Sequence, residues 1–226
     1  MRSKPFLKIC CILSQAEARM AWEAGADALG LVSQMPSGPG VITDDLIAQI
    51  VRSVPPPVAT FLLTSKQDAV GIIAQHRLCR SSTIQLVDHV PQAELVQLRD
   101  ALPGISLVQV IHVSDESSVE EALQVAPFVD AVLLDSGNQK LPVKELGGTG
   151  RTHDWRISAR IVQALKALPN QKPTFLAGGL HAGNVRQAIE AVQPHGLDIC
   201  SGVRTNGQLD PVKLTALKSA LELSAG

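Results

Sequence analysis

Short apolar runs alternate with longer stretches of helical period along this chain, and that alternation restricts the fold more than any other feature. The first run covers residues 6–10. Ser14 is placed to cap an Ala/Glu-rich helix that reaches Glu23 and stops at Gly25. A second run at 28–32 leads through a Gly/Pro-rich loop to Thr43, which heads a helix to about Ser53. Asp44 and Asp45 in its first turn suit the positive end of the helix dipole. Further runs at 58–63, 83–87, 106–113, 129–134, 174–177 and 197–200 precede helical stretches near 66–76, 91–101, 117–126, 154–167, 184–193 and 211–223. Eight strand-then-helix units with no change of composition and no linker predict one α/β domain over residues 1–226. Eight units fit a closed (β/α)8, or TIM, barrel near the short end of its size range. A doubly wound open sheet would favour fewer units and a Gly-rich turn after the first strand. Here that strand ends in Cys10-Cys11, without G-x-G-x-x-G.

Composition narrows the partners. With 20 basic and 21 acidic residues the net charge is -1, which gives no general field for a phosphate backbone. Two Trp, four Phe and no Tyr make poor base-stacking platforms, so nucleic acid is not an expected partner. No apolar run approaches the ~18 residues of a membrane span, and Lys8 interrupts the apolar stretch near the N-terminus. The cysteines Cys10, Cys11, Cys79 and Cys200 form no C-x-x-C pair and no His pair has ligand spacing, so no metal site is expected. Reduced thiols in a cytoplasmic protein are the expectation. A monomer and a homodimer fit the sequence equally.

A barrel confines chemistry to the C-terminal ends of its strands and the loops beyond them. Cys10 closes the first strand, on one face with Phe6 and Lys8. Asp135 closes the sixth, after Ala131-Val132-Leu133-Leu134. A carboxyl group there serves as a proton donor if its pKa is raised, and a thiol as base or nucleophile if its pKa is lowered. Each also has an ordinary reading: free cysteines are commonly buried, and Asp135 before Ser136-Gly137-Asn138 suits a loop cap. Gly178-Gly179 after strand seven and Ser201-Gly202 after strand eight lie where many barrels hold phosphate on main-chain amides. Gly147-Gly148-Thr149-Gly150 sits in a connection of about 18 residues, long enough for a lid or binding loop.

At these residues the chain resembles the phosphoribosylanthranilate isomerase family. The resemblance is carried by Lys8-Ile9-Cys10, residues 24–30, Leu133-Leu134-Asp135, residues 147–150 with Asp154-Trp155, residues 176–180 with Asn184-Val185, and Ser201-Gly202-Val203, in that order. It implies an aldose–ketose isomerase of tryptophan biosynthesis that performs an Amadori rearrangement on a phosphorylated sugar without metal or cofactor. Cys10 matches the family's general base and Asp135 its general acid. Gly178, Gly179, Ser201 and Gly202 match its phosphate loops, and Gly148 and Thr149 its substrate loop.

Four departures accompany the resemblance. Cys11 stands where the family has Gly, Val87-Asp88 replaces His-Gly, and Arg204 replaces Glu. The loop after strand two reads Ser37-Gly38-Pro39-Gly40, with no Arg between Arg19 and Arg52 to receive the anthranilate carboxylate. Arg204, Arg151 and His112 are candidate replacements for that cation. A different phosphorylated aminosugar lacking the carboxylate, or a non-catalytic role in binding a sugar phosphate or partner, are the competing readings.

Overall fold

The computed structural model describes residues 4–137 and 152–222. Gly148, Thr149 and Arg151, and the lid or binding loop expected at 147–150, lie outside the described residues. Strands β1 (Phe6–Ile9), β2 (Ala28–Val32), β3 (Ala59–Thr64) and β4 (Thr83–Leu86) pair in chain order. They continue through β5 (Ser106–His112), β6 (Ala131–Asp135), β7 (Thr174–Leu176) and β8 (Gly196–Ile199), and β8 closes on β1. Every ladder around the ring is parallel. The connecting helices are α1 (Gln15–Glu23), α2 (Asp44–Ser53), α3 (Ala69–Cys79), α4 (Gln92–Ala101), α5 (Ser117–Val125), α6 (Trp155–Lys166), α7 (Val185–Val192) and α8 (Pro211–Glu222). The expected barrel is therefore the fold.

Side chains alternate between two apolar layers because successive residues of a strand face opposite sides. Leu7, Ile9, Leu29, Leu31, Leu62 and Ile84 point outward and pack against the helices. Phe61, Leu63, Val108, Val110, Leu133 and Phe175 fill the interior. Phe175 makes edge contacts with Phe6 at 5.7 Å and Phe61 at 6.0 Å between centroids, giving the barrel a solid floor. The β1–β8 register then climbs in steps: Phe6 faces Gly196, and Lys8 faces Asp198. Cys10 comes next at the rim.

Helix starts follow their caps. Ser14 Oγ accepts from the Glu17 amide and Thr43 Oγ1 from the Leu46 amide, as their sequence positions imply. Two regions differ from the expectation. The third helix runs three residues later than the 66–76 reading, because Asp68 Oδ1 accepts from the Gly71 amide at 2.7 Å and fixes its start. Beyond β8, a short 3-10 turn (Ser201–Val203) leads into a small antiparallel hairpin, β9 (Arg204–Thr205) and β10 (Gln208–Leu209), too brief to leave a periodic signature.

Candidate active site

Cys10 lies one residue beyond β1, where its amide still donates to the Ile199 carbonyl at 2.8 Å and so continues the ladder. The inward phase shared with Lys8 brings its sulfur toward the barrel axis. Gly30 makes room for it: a Cβ there would stand 2.6 Å from the Cys10 sulfur. Asp135 is the last residue of β6 and also points inward, its Oδ1 accepting from the Ser136 amide at 2.7 Å. Cys10, Asp135, Gly178, Gly179 and Ser201 line a single cavity at the C-terminal rim. Gly202 borders the adjoining hollow with Gly179, Ser201, His181 and Lys213. The β7 and β8 loops meet tightly there, since a Cβ on Gly202 would lie 2.0 Å from the Leu180 carbonyl oxygen.

Beneath the rim, Lys8 Nζ contacts Asp198 Oδ2 at 2.8 Å, with both side chains buried. Burial disfavours the Lys8 ammonium, but Asp198 and Cys10 outweigh it and raise its pKa. Burial lifts the Asp198 carboxyl, a tendency opposed by Lys8 and reinforced by Asp135. Strand alternation in residues 197–199 was the available signal for Asp198, and the opposite charge two residues before Cys10 was its partner.

Cys11 is unexpected in two ways. Its φ of 62° is left-handed, a conformation that favours glycine. That turn breaks the strand alternation, so Cys11 follows Cys10 to the rim instead of facing the helices. The neighbouring Cys11 side chain lowers the Cys10 pKa against burial and Asp198, with Lys8 assisting. Cys11 itself is pushed well above the ordinary thiol value by its contacts with Cys10 and Cys200 and by burial. Cys200 donates to Cys11 at 2.7 Å between sulfurs.

Arg204 does not face the cavity. Its guanidinium pairs with Glu17 Oε2 at 3.0 Å and donates to the carbonyls of Cys10, Cys11 and Gly207. Glu17 in turn accepts from the amides of Leu13 at 3.0 Å and Leu209 at 2.8 Å. Arg204 is thus committed to tying the hairpin to the end of β1, and is excluded as a replacement cation for a carboxylate. His112 is buried, its Nε2 against the Val87 carbonyl at 2.9 Å. His153 was missed in the sequence. It sits before α6 within the field of Asp135, with its pKa lowered chiefly by burial, and its Nε2 meets Ser158 Oγ at 2.6 Å.

A closed parallel barrel whose strand ends converge on a thiol, carboxylates and glycine loops belongs to the (β/α)8 enzymes. Comparison with known proteins resolves the family. The sequence model of N-(5'-phosphoribosyl)anthranilate (PRA) isomerase matches residues 7–219. The N-(5'-phosphoribosyl)anthranilate isomerase of Methanocella arvoryzae is 32% identical, over 92% of this chain and 93% of its own length. That of Methanothrix thermoacetophila is 34% identical over the same shares. The crystal structure of phosphoribosyl anthranilate isomerase from Thermotoga maritima superposes with a TM-score of 0.79 at 26% identity, covering 96% of this chain and 98% of that one. The chain belongs to the phosphoribosylanthranilate isomerase family, whose members are intramolecular aldose–ketose isomerases. No helix among the described residues is long and apolar enough to cross a membrane.

Proposed function

We propose that this chain acts in the cytoplasm, as a single catalytic domain, converting phosphoribosylanthranilate to its 1-deoxyribulose isomer in tryptophan biosynthesis. The observation that carries the reading is one cavity lined by Cys10, Asp135 and the glycine loops after β7 and β8. Asp135 delivers a proton to the ribose ring oxygen while the anthranilate nitrogen lone pair expels it, opening the ring to an iminium ion. Cys10, as thiolate, removes the proton from the second sugar carbon, and the electrons of that bond neutralise the iminium to give an enolamine. Tautomerisation then yields the ketone. Each step moves a proton between a side chain and the substrate and needs neither metal nor redox cofactor.

The amides of Gly178, Gly179, Ser201 and Gly202 hold the phosphate, with Lys213 bordering the same hollow. Anchoring the phosphate keeps the reacting carbons against Cys10 and Asp135 and turns remote binding into orientation. By the family resemblance, Gly148 and Thr149 contribute to the substrate loop. Purified protein is expected to consume phosphoribosylanthranilate, followed as loss of its fluorescence, with saturation kinetics. Absence of turnover at high enzyme concentration overturns the reading.

One observation favours a second reading, an isomerase of a phosphorylated aminosugar without the carboxylate. Among the described residues, Met35, Ser37, Gly38 and Pro39 line the cavity and bring no cation to it. A charge-assisted contact at that carboxylate is worth roughly 1.5–3 kcal/mol, or about tenfold or more in binding. Pro39→Arg is expected to lower KM for phosphoribosylanthranilate by about that factor. An unchanged or higher KM favours the second reading.

A further inference from the structure

We propose that Cys11 and Cys200 form an oxidisable thiol pair, a modification site that closes as a disulfide between the β1 and β8 loops at the mouth of the barrel. Their sulfurs are 2.7 Å apart, so a bond of about 2.05 Å needs them to approach by only about 0.65 Å. The scaffold sets up this approach. Strands β1 and β8 are neighbours in register up to Ile9 and Ile199, and adjacent strands lie about 4.8 Å apart. One step further, the same register sets Cys200 opposite Cys10, with Cys11 the next residue along. The left-handed turn at Cys11, φ 62°, swings its side chain back toward the β8 loop. The β2–α2 loop holds it there, with the Cys11 thiol 3.7 Å from the Pro39 carbonyl oxygen.

Sulfur–sulfur contact and exposure mark this pair. Among the four, only Cys200 is partly exposed. A hydroperoxide converts the Cys200 thiol to a sulfenic acid, the O–O bond breaking and one alcohol or water leaving. The Cys11 sulfur then attacks that sulfur, forming the S–S bond and expelling the oxygen as water. Overall two thiols give up two electrons and two protons, and the hydroperoxide takes both. Cys79 stays out: it is buried in the helix layer, near the Asp44 carbonyl, and burial pushes its thiol up to about 12. Formation of the bridge stands apart from the role proposed for Cys10. Its effect on turnover rests on that role, because the bridge draws the Cys11 side chain, which favours the Cys10 thiolate, into a bond with Cys200.

The test treats the reduced, full-length protein with stoichiometric hydrogen peroxide, blocks remaining thiols under denaturation, and maps peptides by mass without reduction. The expected result is loss of two of the four titratable thiols, with a peptide containing Cys11 joined to one containing Cys200. Cys10→Ala retains the link, whereas Cys11→Ala and Cys200→Ser lose it. Dithiothreitol restores all the thiols. Four free thiols after oxidation, a sulfinic acid at Cys10 without a link, or a link that depends on Cys10 and survives Cys11→Ala would each overturn the proposal. Turnover of phosphoribosylanthranilate, measured on the same samples, is expected to fall at least tenfold on oxidation and to recover on reduction. A bridge that forms without loss of turnover leaves the modification site standing and overturns its effect on Cys10.

Discussion

Two adjacent sulfurs are driven in opposite directions at the rim: Cys10 below the ordinary thiol pKa and Cys11 well above it. As the proposed base, Cys10 must be deprotonated to act, so turnover is expected to rise with pH through its pKa. Removing the Cys11 side chain by Cys11→Ala is expected to raise that pKa, while Lys8 and Asp198 keep their opposed influences on it. The acidic limb of the kcat/KM profile is expected to move to higher pH. Activity at neutral pH falls and is regained in alkali. A limb that stays in place contradicts the assignment of Cys10 as base, or the influence of Cys11 on it. Cys10 and Asp135 were legible in the sequence because strand-end position is visible there. The Cys11–Cys200 contact was not, since it depends on a left-handed turn that a cysteine seldom adopts and on loops 189 residues apart.

At the level of elements, the hairpin β9–β10 is tied to the end of β1 through Arg204 and Glu17. Arg204→Met leaves the Glu17 carboxylate buried without its cation, a loss expected to cost about 3 kcal/mol or more in chemical denaturation. Burial lifts the Glu17 pKa, but the Arg204 hydrogen bond and two backbone amides pull it below its ordinary value. A depressed folded-state pKa gives stability that is present above the unfolded value, near 4.3, and is lost as pH falls through the folded one. Glu17→Gln should therefore flatten the acid limb of the stability profile; an unchanged limb removes Glu17 from the account. Gly202→Ala places a methyl group against the Leu180 carbonyl and forces the β7 and β8 loops, proposed to hold the phosphate, apart, so KM for the phosphorylated substrate is expected to rise. Helices with Ser14 or Thr43 at their heads were readable because the cap precedes an apolar phase. The third helix was read too early, although Asp68 carried the signal for its start. Arg204 showed only as a departure from the family pattern, because pairing across 187 residues leaves no local trace.

The whole molecule separates its tasks by height. Aromatic packing closes the floor, the Lys8–Asp198 pair occupies the middle, and the residues proposed for proton transfer and phosphate binding share the rim. Alternation of eight strands with helices made the barrel legible from sequence, while the identity of the rim groups required the phase of each strand. Ribose 5-phosphate at ~100 times its Kd should stabilise the fold by about 2.7 kcal/mol in thermal unfolding, and Gly202→Ala should blunt the shift at the same concentration. Equal shifts in both proteins would move the phosphate site elsewhere. The most direct measurement compares kcat on phosphoribosylanthranilate for Cys10→Ala and Asp135→Asn with their affinity for a non-reacting reduced product analogue. Both variants are predicted to lose roughly 10²–10⁴ in kcat while binding the analogue within a few-fold of the parent. Retention of a tenth or more of the parental kcat by either variant would contradict a thiol base and a carboxylic acid working across one cavity.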